Sequence, residues 1–181
     1  MSSPTWTHAG ISSELQSYER RDVWRLVDAQ YYVSTRKLVD SLAEQAILER
    51  LVDATMPAVP SECQDLDEIL SRPFRYAPYP KGSRFRRAGL TPGVYYAAEQ
   101  PRTAAAELAF YRLLFFAESP DTPWPANPLQ CTGFSATILS HRSLDLTKPP
   151  LDADRSAWRH PVNYEPCQAL ADAAREAGLE F

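Results

Sequence analysis

The fold of this chain is decided by residues 93–119, GVYYAAEQPRTAAAELAFYRLLFFAES. The run GVYYAA (93–98) is apolar without a helical period, which predicts a buried strand. Pro101 and Thr103 then introduce a helix, and Thr103 is placed to cap the free amides of its first turn. The apolar face of this helix consists of Leu108, Tyr111, Leu114 and Phe115. We therefore expect a strand followed directly by a helix.

Segments on both sides of this stretch also have readable patterns. Apolar positions recur at three and four residues from Lys37 to Ala54, which predicts a second helix. A last helix is expected after Pro166, with Gly178 at its end. The shorter expected elements are a polar helix after residue 10, a strand at 23–27, a helical piece at 66–70, a loop or edge strand at 73–93, strands near 132–140 and 143–147, and a loop to residue 160.

Composition excludes several classes of function. The 181 residues include 19 basic and 23 acidic side chains, so no overall positive field attracts nucleic acid. The 6 glycines form neither a GxG pair nor a GxxxxGK run, which argues against Rossmann and Walker nucleotide sites.

Cysteine and histidine usage gives no disulfide or metal pattern. The 3 cysteines are widely spaced without a CxxC pair, which fits a reducing cytoplasm. The 3 histidines form no HxxxH or Cys-His cluster, so no metal site is expected. The sequence has no signal-peptide pattern and no run of 18 apolar residues, which disfavours secretion and membrane spanning.

Four short strings carry side chains that could bind or transform a substrate. They are PFRY (73–76), GSRF (82–85), GVYYAA (93–98) and TAAAELAFYR (103–112). Taken singly, each has an ordinary explanation, with Arg75 and Arg84 as surface or ion-paired arginines and Tyr96 as a core residue. Glu107 is expected in the first turn of its helix, where the helix dipole favours a carboxylate but where acidic residues are also common stabilisers.

In order and spacing, the four strings resemble the RES-domain family, the toxin component of bacterial RES-Xre toxin-antitoxin pairs. The resemblance is closest to a branch with PFRYxP, GSRF, GxxY and TAxAExAYYR strings. It extends to EQAILERLVDATMPAVP (44–60) and YEPCQALADAAREAG (164–178), and so covers most of residues 23–178.

The resemblance implies a single compact α+β domain with the ADP-ribosyltransferase fold, a split β core and a cleft that takes NAD as substrate. Residues 1–22 would form an N-terminal extension, and residues 23–181 would form the RES domain. The serine of the family signature lies, in relatives, in a strand after the helix that ends here at Gly178. The apolar ending LEF therefore predicts a RES domain truncated at its C-terminal end, and this serine is unassigned.

Three further signature residues can be matched one by one. The arginine matches Arg84, the tyrosine Tyr96 and the glutamate Glu107, and Arg75 is a second arginine candidate. Planar guanidinium groups can hold the NAD pyrophosphate through paired bonds, which suits Arg84 and Arg75. Tyr96 could face the cationic nicotinamide or hydrogen-bond a ribose hydroxyl. Glu107 would stabilise the oxocarbenium-like state in which the nicotinamide-ribose bond breaks.

Two functions stay open at this point. The leading hypothesis is a growth-inhibiting toxin that cleaves NAD and passes ADP-ribose to water, phosphate or a protein acceptor. The alternative is a catalytically silent module that engages an antitoxin, which the unassigned serine favours. The resemblance also implies an Xre-type helix-turn-helix antitoxin that covers the active-site cleft. Charge and hydropathy predict no direct nucleic-acid or membrane partner.

Overall fold

The computed structural model of the protein describes residue 11 and residues 16–28, 38–75, 78–128 and 130–180. Its main elements are β1 (Gln16–Asp28), α1 (Leu42–Thr55), α2 (Glu68–Arg75), α3 (Pro101–Glu118), β2 (Cys131–Ser143), α4 (Arg155–Trp158) and α5 (Glu165–Glu176). Two 3-10 helices, Ser61–Cys63 and Leu151–Asp154, lie in the connections. Helices and a two-stranded sheet give an α+β fold, which confirms the predicted class. Most of the predicted N-terminal extension and of the polar helix after residue 10 lies outside the described residues.

The strands β1 and β2 pair in antiparallel register. Thr137 donates a hydrogen bond from its hydroxyl to Asp22 at 2.7 Å, and Gly133 lies opposite Leu26. These two pairs of residues define the antiparallel register. The accessibility of β2 alternates along most of its length, the period of a strand with one covered face. The two strands predicted near 132–140 and 143–147 are one strand that ends at Ser143.

The described chain divides into two compact units. Of the described residues, 11, 16–20, 59–75, 78–95 and 138–180 belong to the first unit, and 21–28, 38–58, 96–128 and 130–137 belong to the second. The core of the first unit is built by buried residues of α5 around the indole of Trp158. Its members are Ile11, Trp158, Cys167, Leu170, Ala173 and Ala174. The spacing of the α5 residues is that of one helix face. The helix itself was predicted from the sequence.

The second unit contains the helices α1 and α3. Ser41 caps α1, because its hydroxyl accepts the Glu44 amide at 3.1 Å while the Glu44 carboxylate accepts the Asp40 amide at 3.0 Å. On α3, only Ala104 is buried, and the predicted apolar-face residues Tyr111, Leu114 and Phe115 are 56%, 37% and 51% exposed.

Two details of the segment that decides the fold are wrong in the sequence prediction. Residues 93–98 do not form a strand of a sheet, and only Ala98 makes a bridge, with Trp24. Close packing of Gly93 on the backbone of Pro73 occupies the space beside this segment. Thr103 is not the cap of α3, because Pro101 begins the helix and Gln100 stands in the cap position without a side-chain bond.

Two segments predicted as loops are partly helical. Residues 73–75 of the PFRY string complete α2, where the Asp67 carboxylate accepts the Ile69 amide at 3.0 Å and supports the helix start. Residues 151–158 form a 3-10 turn followed by α4. The buried indole N–H of Trp158 donates to the Leu151 carbonyl at 2.7 Å and ties this segment together.

Candidate functional site

The GSRF string lies in a tight loop in the first unit. The backbone amides of Gly82 and Gly89 both donate to the carbonyl of Tyr79, at 3.2 and 3.0 Å. Both glycines have φ of 66°, a conformation that side-chain-bearing residues rarely adopt. A β-bridge between Ser83 and Arg86 closes the turn around residue 84. The loop therefore presents Arg84 from a constrained backbone.

Arg84 is held on one side of its guanidinium. Its Nη1 donates to the carbonyl oxygens of Trp158 at 2.7 Å and His160 at 2.9 Å. Its Cζ lies 4.7 Å from the ring centroid of Tyr164. Within the part of the chain that the structure describes, Nε and Nη2 of Arg84 have no hydrogen-bond partner. These two nitrogens form the edge that binds a phosphate or carboxylate through two parallel bonds.

The turn that accepts these bonds is fixed by His160. The His160 Nδ1 accepts the backbone amides of Val162 at 3.3 Å and Asn163 at 2.8 Å. An accepting Nδ1 places the ring proton of the neutral imidazole on Nε2. Sequence reasoning missed this role of His160, because a side chain that stabilises a turn leaves no motif.

Polar residues of α5 form hydrogen bonds with the GSRF loop. Gln168 Nε2 donates to the Ser83 carbonyl at 2.9 Å and the Arg86 carbonyl at 3.1 Å. Two further contacts follow along the helix: Arg87 Nε with Asp172 Oδ2 at 2.5 Å, and Arg175 Nη2 with the Phe85 carbonyl at 2.7 Å. Sequence reasoning missed these contacts, although Gln168, Asp172 and Arg175 stand at helical spacing on one face.

The PFRY string meets the GVYY string in the same unit. Arg75, the last residue of α2, is half-buried. The ring of Phe74 is stacked with that of Tyr95, with centroids 6.4 Å apart. A Cβ on Gly93 would collide with the carbonyl of Pro73, so only glycine permits this approach. The PFRY and GVYY strings, which are separate in the sequence, therefore pack together in the structure.

Tyr96 and Glu107 belong to the second unit. Tyr96 is half-buried and precedes by two residues the bridge of Ala98 to Trp24, whose bonds are 2.6 and 2.9 Å long. Glu107 is exposed and is the seventh residue of α3, not a first-turn residue as predicted. The helix begins at Pro101, so the free amides and the dipole end lie almost two turns away from Glu107.

The chain matches one protein family. The family model described as RES domain matches residues 58–181, which is more than half of the chain. The chain belongs to the RES domain family. The comparison with curated proteins found no match.

The match includes the PFRY, GSRF, GVYY and TAAAELAFYR strings and the segment 164–178, whereas most of the string at 44–60 precedes it. The RES domain is associated with NAD-acting enzymes and with toxin-antitoxin pairs. The resemblance to the family is thereby confirmed. The branch, the Xre type of the partner and the individual site residues stay predictions.

Two other kinds of feature are absent from the described residues. No group of three or more His, Cys, Asp or Glu side chains is arranged there to hold a metal ion. No helix among them is both long enough and apolar enough to cross a membrane.

Proposed function

We propose that this protein is a toxin that consumes NAD by cleaving the bond between nicotinamide and ribose. The observation that carries the proposal is the state of Arg84, whose Nη1 is occupied while its Nε/Nη2 edge has no partner among the described residues. A guanidinium fixed at one end and open at the other suits a pyrophosphate, because two parallel charge-assisted bonds can form without further rearrangement. Arg75 is the second arginine proposed to bind NAD.

The proposed reaction is the transfer of ADP-ribose. The C–N bond from ribose C1′ to nicotinamide breaks, and its electron pair leaves with nicotinamide, which becomes neutral. Glu107 stabilises the positive charge that develops on the ribose, and Tyr96 contacts the nicotinamide or a ribose hydroxyl. The acceptor then bonds to C1′ and releases a proton. Water, phosphate and a protein side chain are all chemically competent acceptors.

Proteins of this family pair with antitoxins. We propose an antitoxin of the Xre helix-turn-helix type as the partner, acting in the cytoplasm and covering the substrate site. A toxin made in its own cell must be neutralised there, and blocking access of NAD is sufficient for that purpose. Co-purification with the product of the adjacent reading frame would test this partner.

The catalytic proposal is tested with NAD labelled in its adenine half. Release of nicotinamide by the purified protein is expected. Label retained on protein identifies transfer to a protein, free ADP-ribose identifies water as acceptor, and phosphorylated ADP-ribose identifies phosphate. If NAD stays intact at stoichiometric protein concentration, the enzyme assignment is wrong and the silent binding module takes its place.

The role of Arg84 is tested with Arg84→Lys and Arg84→Gln. Lysine keeps the charge but not the planar two-bond geometry. Loss of charge-assisted hydrogen bonds should weaken NAD binding by about 1.5–3 kcal/mol, or roughly ten- to hundredfold. The matched control is Arg159→Gln, because Arg159 is exposed in the turn between Trp158 and His160. Equal NAD affinity in all four proteins would exclude Arg84 from the site.

A further inference from the structure

The segment 164–178 matches the family but has no part in the reaction described above. It begins at Tyr164, in the N-cap position of α5, and continues through Gln168 one turn later. Both side chains are half-buried, and both point at the GSRF loop. Both side chains are therefore placed to act on this loop.

Tyr164 closes one face of the Arg84 guanidinium. The Cζ of Arg84 lies 4.7 Å from the ring centroid, within the range of a cation-π contact. Nη1 is meanwhile tied to the carbonyls of Trp158 and His160. Since Nη1 carries two hydrogens, these two bonds and the ring together fix both the position and the plane of the guanidinium. The orientation of its open Nε/Nη2 edge is therefore fixed as well.

Gln168 fixes the backbone from which Arg84 extends. Its side-chain nitrogen donates to the carbonyls of Ser83 at 2.9 Å and Arg86 at 3.1 Å, on either side of Arg84. One amide group thus clamps both sides of the loop. A carboxylate in its place would turn an oxygen toward two carbonyl oxygens and would repel them.

We propose that Tyr164 and Gln168 are positioning residues that hold Arg84 ready for the anionic phosphates of the substrate. This inference rests on the proposed role of Arg84. Both residues act through Arg84 and lower the ordering cost of substrate binding. Releasing a side chain that must be immobilised again should weaken binding roughly two- to tenfold. The steps at the ribose do not involve either residue, so kcat should be unchanged.

The test compares KM for NAD, kcat and the dissociation constant of ADP-ribose in three variants and a control. Tyr164→Leu and Gln168→Glu should raise KM and the dissociation constant two- to tenfold with kcat unchanged. Tyr164→Phe should restore wild-type values, because it keeps the aromatic face. Glu165→Gln is the control, since Glu165 is exposed beside Tyr164.

A merely structural role is separated by adding Tyr164→Leu to Arg84→Gln. The double variant should bind ADP-ribose no more weakly than Arg84→Gln alone, because the positioned group is already gone. If Arg84→Gln has no effect on affinity, the proposed role of Arg84 fails. If Arg84→Gln weakens binding while Tyr164→Leu and Gln168→Glu do not, only the present inference fails. Should Tyr164→Leu lose its fold, the dissociation constant of Gln168→Glu compared with that of Glu165→Gln decides the proposal.

Discussion

The carbonyl oxygen of Pro73 occupies the place that a side chain on Gly93 would need. This contact joins the end of α2 to the segment that leads into Tyr95. We predict that Gly93→Ala destabilises the protein by about 1–3 kcal/mol, because two backbone segments would have to separate. Denaturant unfolding measures the effect.

Gly133→Ala is the control for this change. A Cβ on Gly133 would meet only the Leu26 side chain, with Cδ1 at an ordinary distance of 3.7 Å. That variant should be as stable as the wild type or slightly more stable. Equal stability of both alanine variants would contradict the close packing of Gly93 on Pro73.

Glu107→Gln should abolish most of the proposed activity while leaving the fold intact. The change removes the negative charge proposed to face the ribose, and losses of comparable electrostatic contacts lower rates about a hundred- to thousandfold. Glu107 is exposed and lies beyond the first turn of α3, so stability should not change. Nicotinamide release and thermal unfolding are the two measurements. Glu118→Gln, on an exposed residue of the same helix, should behave as wild type in both.

The sequence predicted helices more reliably than contacts. The helices at 101–118 and 165–176 have strong formers and clear punctuation by Pro101, Pro166 and Gly178, so local physics determines them. The GVYYAA run failed as a strand because a strand also needs a partner. Pairing depends on tertiary structure, and among the described residues only the bridge of Ala98 to Trp24 forms.

The candidate site was predictable only as a set of residue types. The resemblance selected Arg84, and its open edge agrees with a binding role. No pattern could show that the carbonyls of Trp158 and His160 would hold it, because backbone groups have no sequence signature. The role of Gln168 was in principle detectable, since a lone amide on the inner face of a helix requires a partner.

Trp158→Phe should separate stability from substrate binding. The indole N–H donates to the Leu151 carbonyl at 2.7 Å and is buried, so its loss leaves that acceptor unsatisfied. We expect a cost of about 1–3 kcal/mol in the free energy of unfolding. Arg84 contacts only the backbone of Trp158, so NAD affinity should not change.

The comparison for that change is Trp124→Phe. Trp124 is 62% exposed and stacks on Phe116, a contact that phenylalanine can keep. Its stability should stay within about 0.5 kcal/mol of the wild type. A Trp158→Phe protein that binds NAD tenfold more weakly would show that the indole itself supports the site.

We predict that acid removes a small contribution of Asp145 to the stability of the fold. The hydroxyl and amide of Thr147 donate to its Oδ1 at 2.5 and 2.9 Å and, with help from Lys148, lower the pKa of this carboxyl below 3.8. A lowered folded-state pKa stabilises the fold at pH values above the unfolded pKa, and this contribution fades as pH falls through the folded pKa. The stability difference between wild type and Asp145→Asn should therefore shrink from about pH 6 to about pH 3. A difference that is constant over this range would contradict the assignment.

The contacts between α5 and the loop at 83–87 also bear on how the protein opens. Four residues of the helix segment, Tyr164, Gln168, Asp172 and Arg175, reach this one loop. Loop and helix should consequently unfold locally as a single cooperative unit, with similar protection of their amides from hydrogen exchange. Every excursion of α5 should then withdraw Arg84 as well, so the affinity for the proposed substrate should report the fraction of time that α5 is docked on the loop.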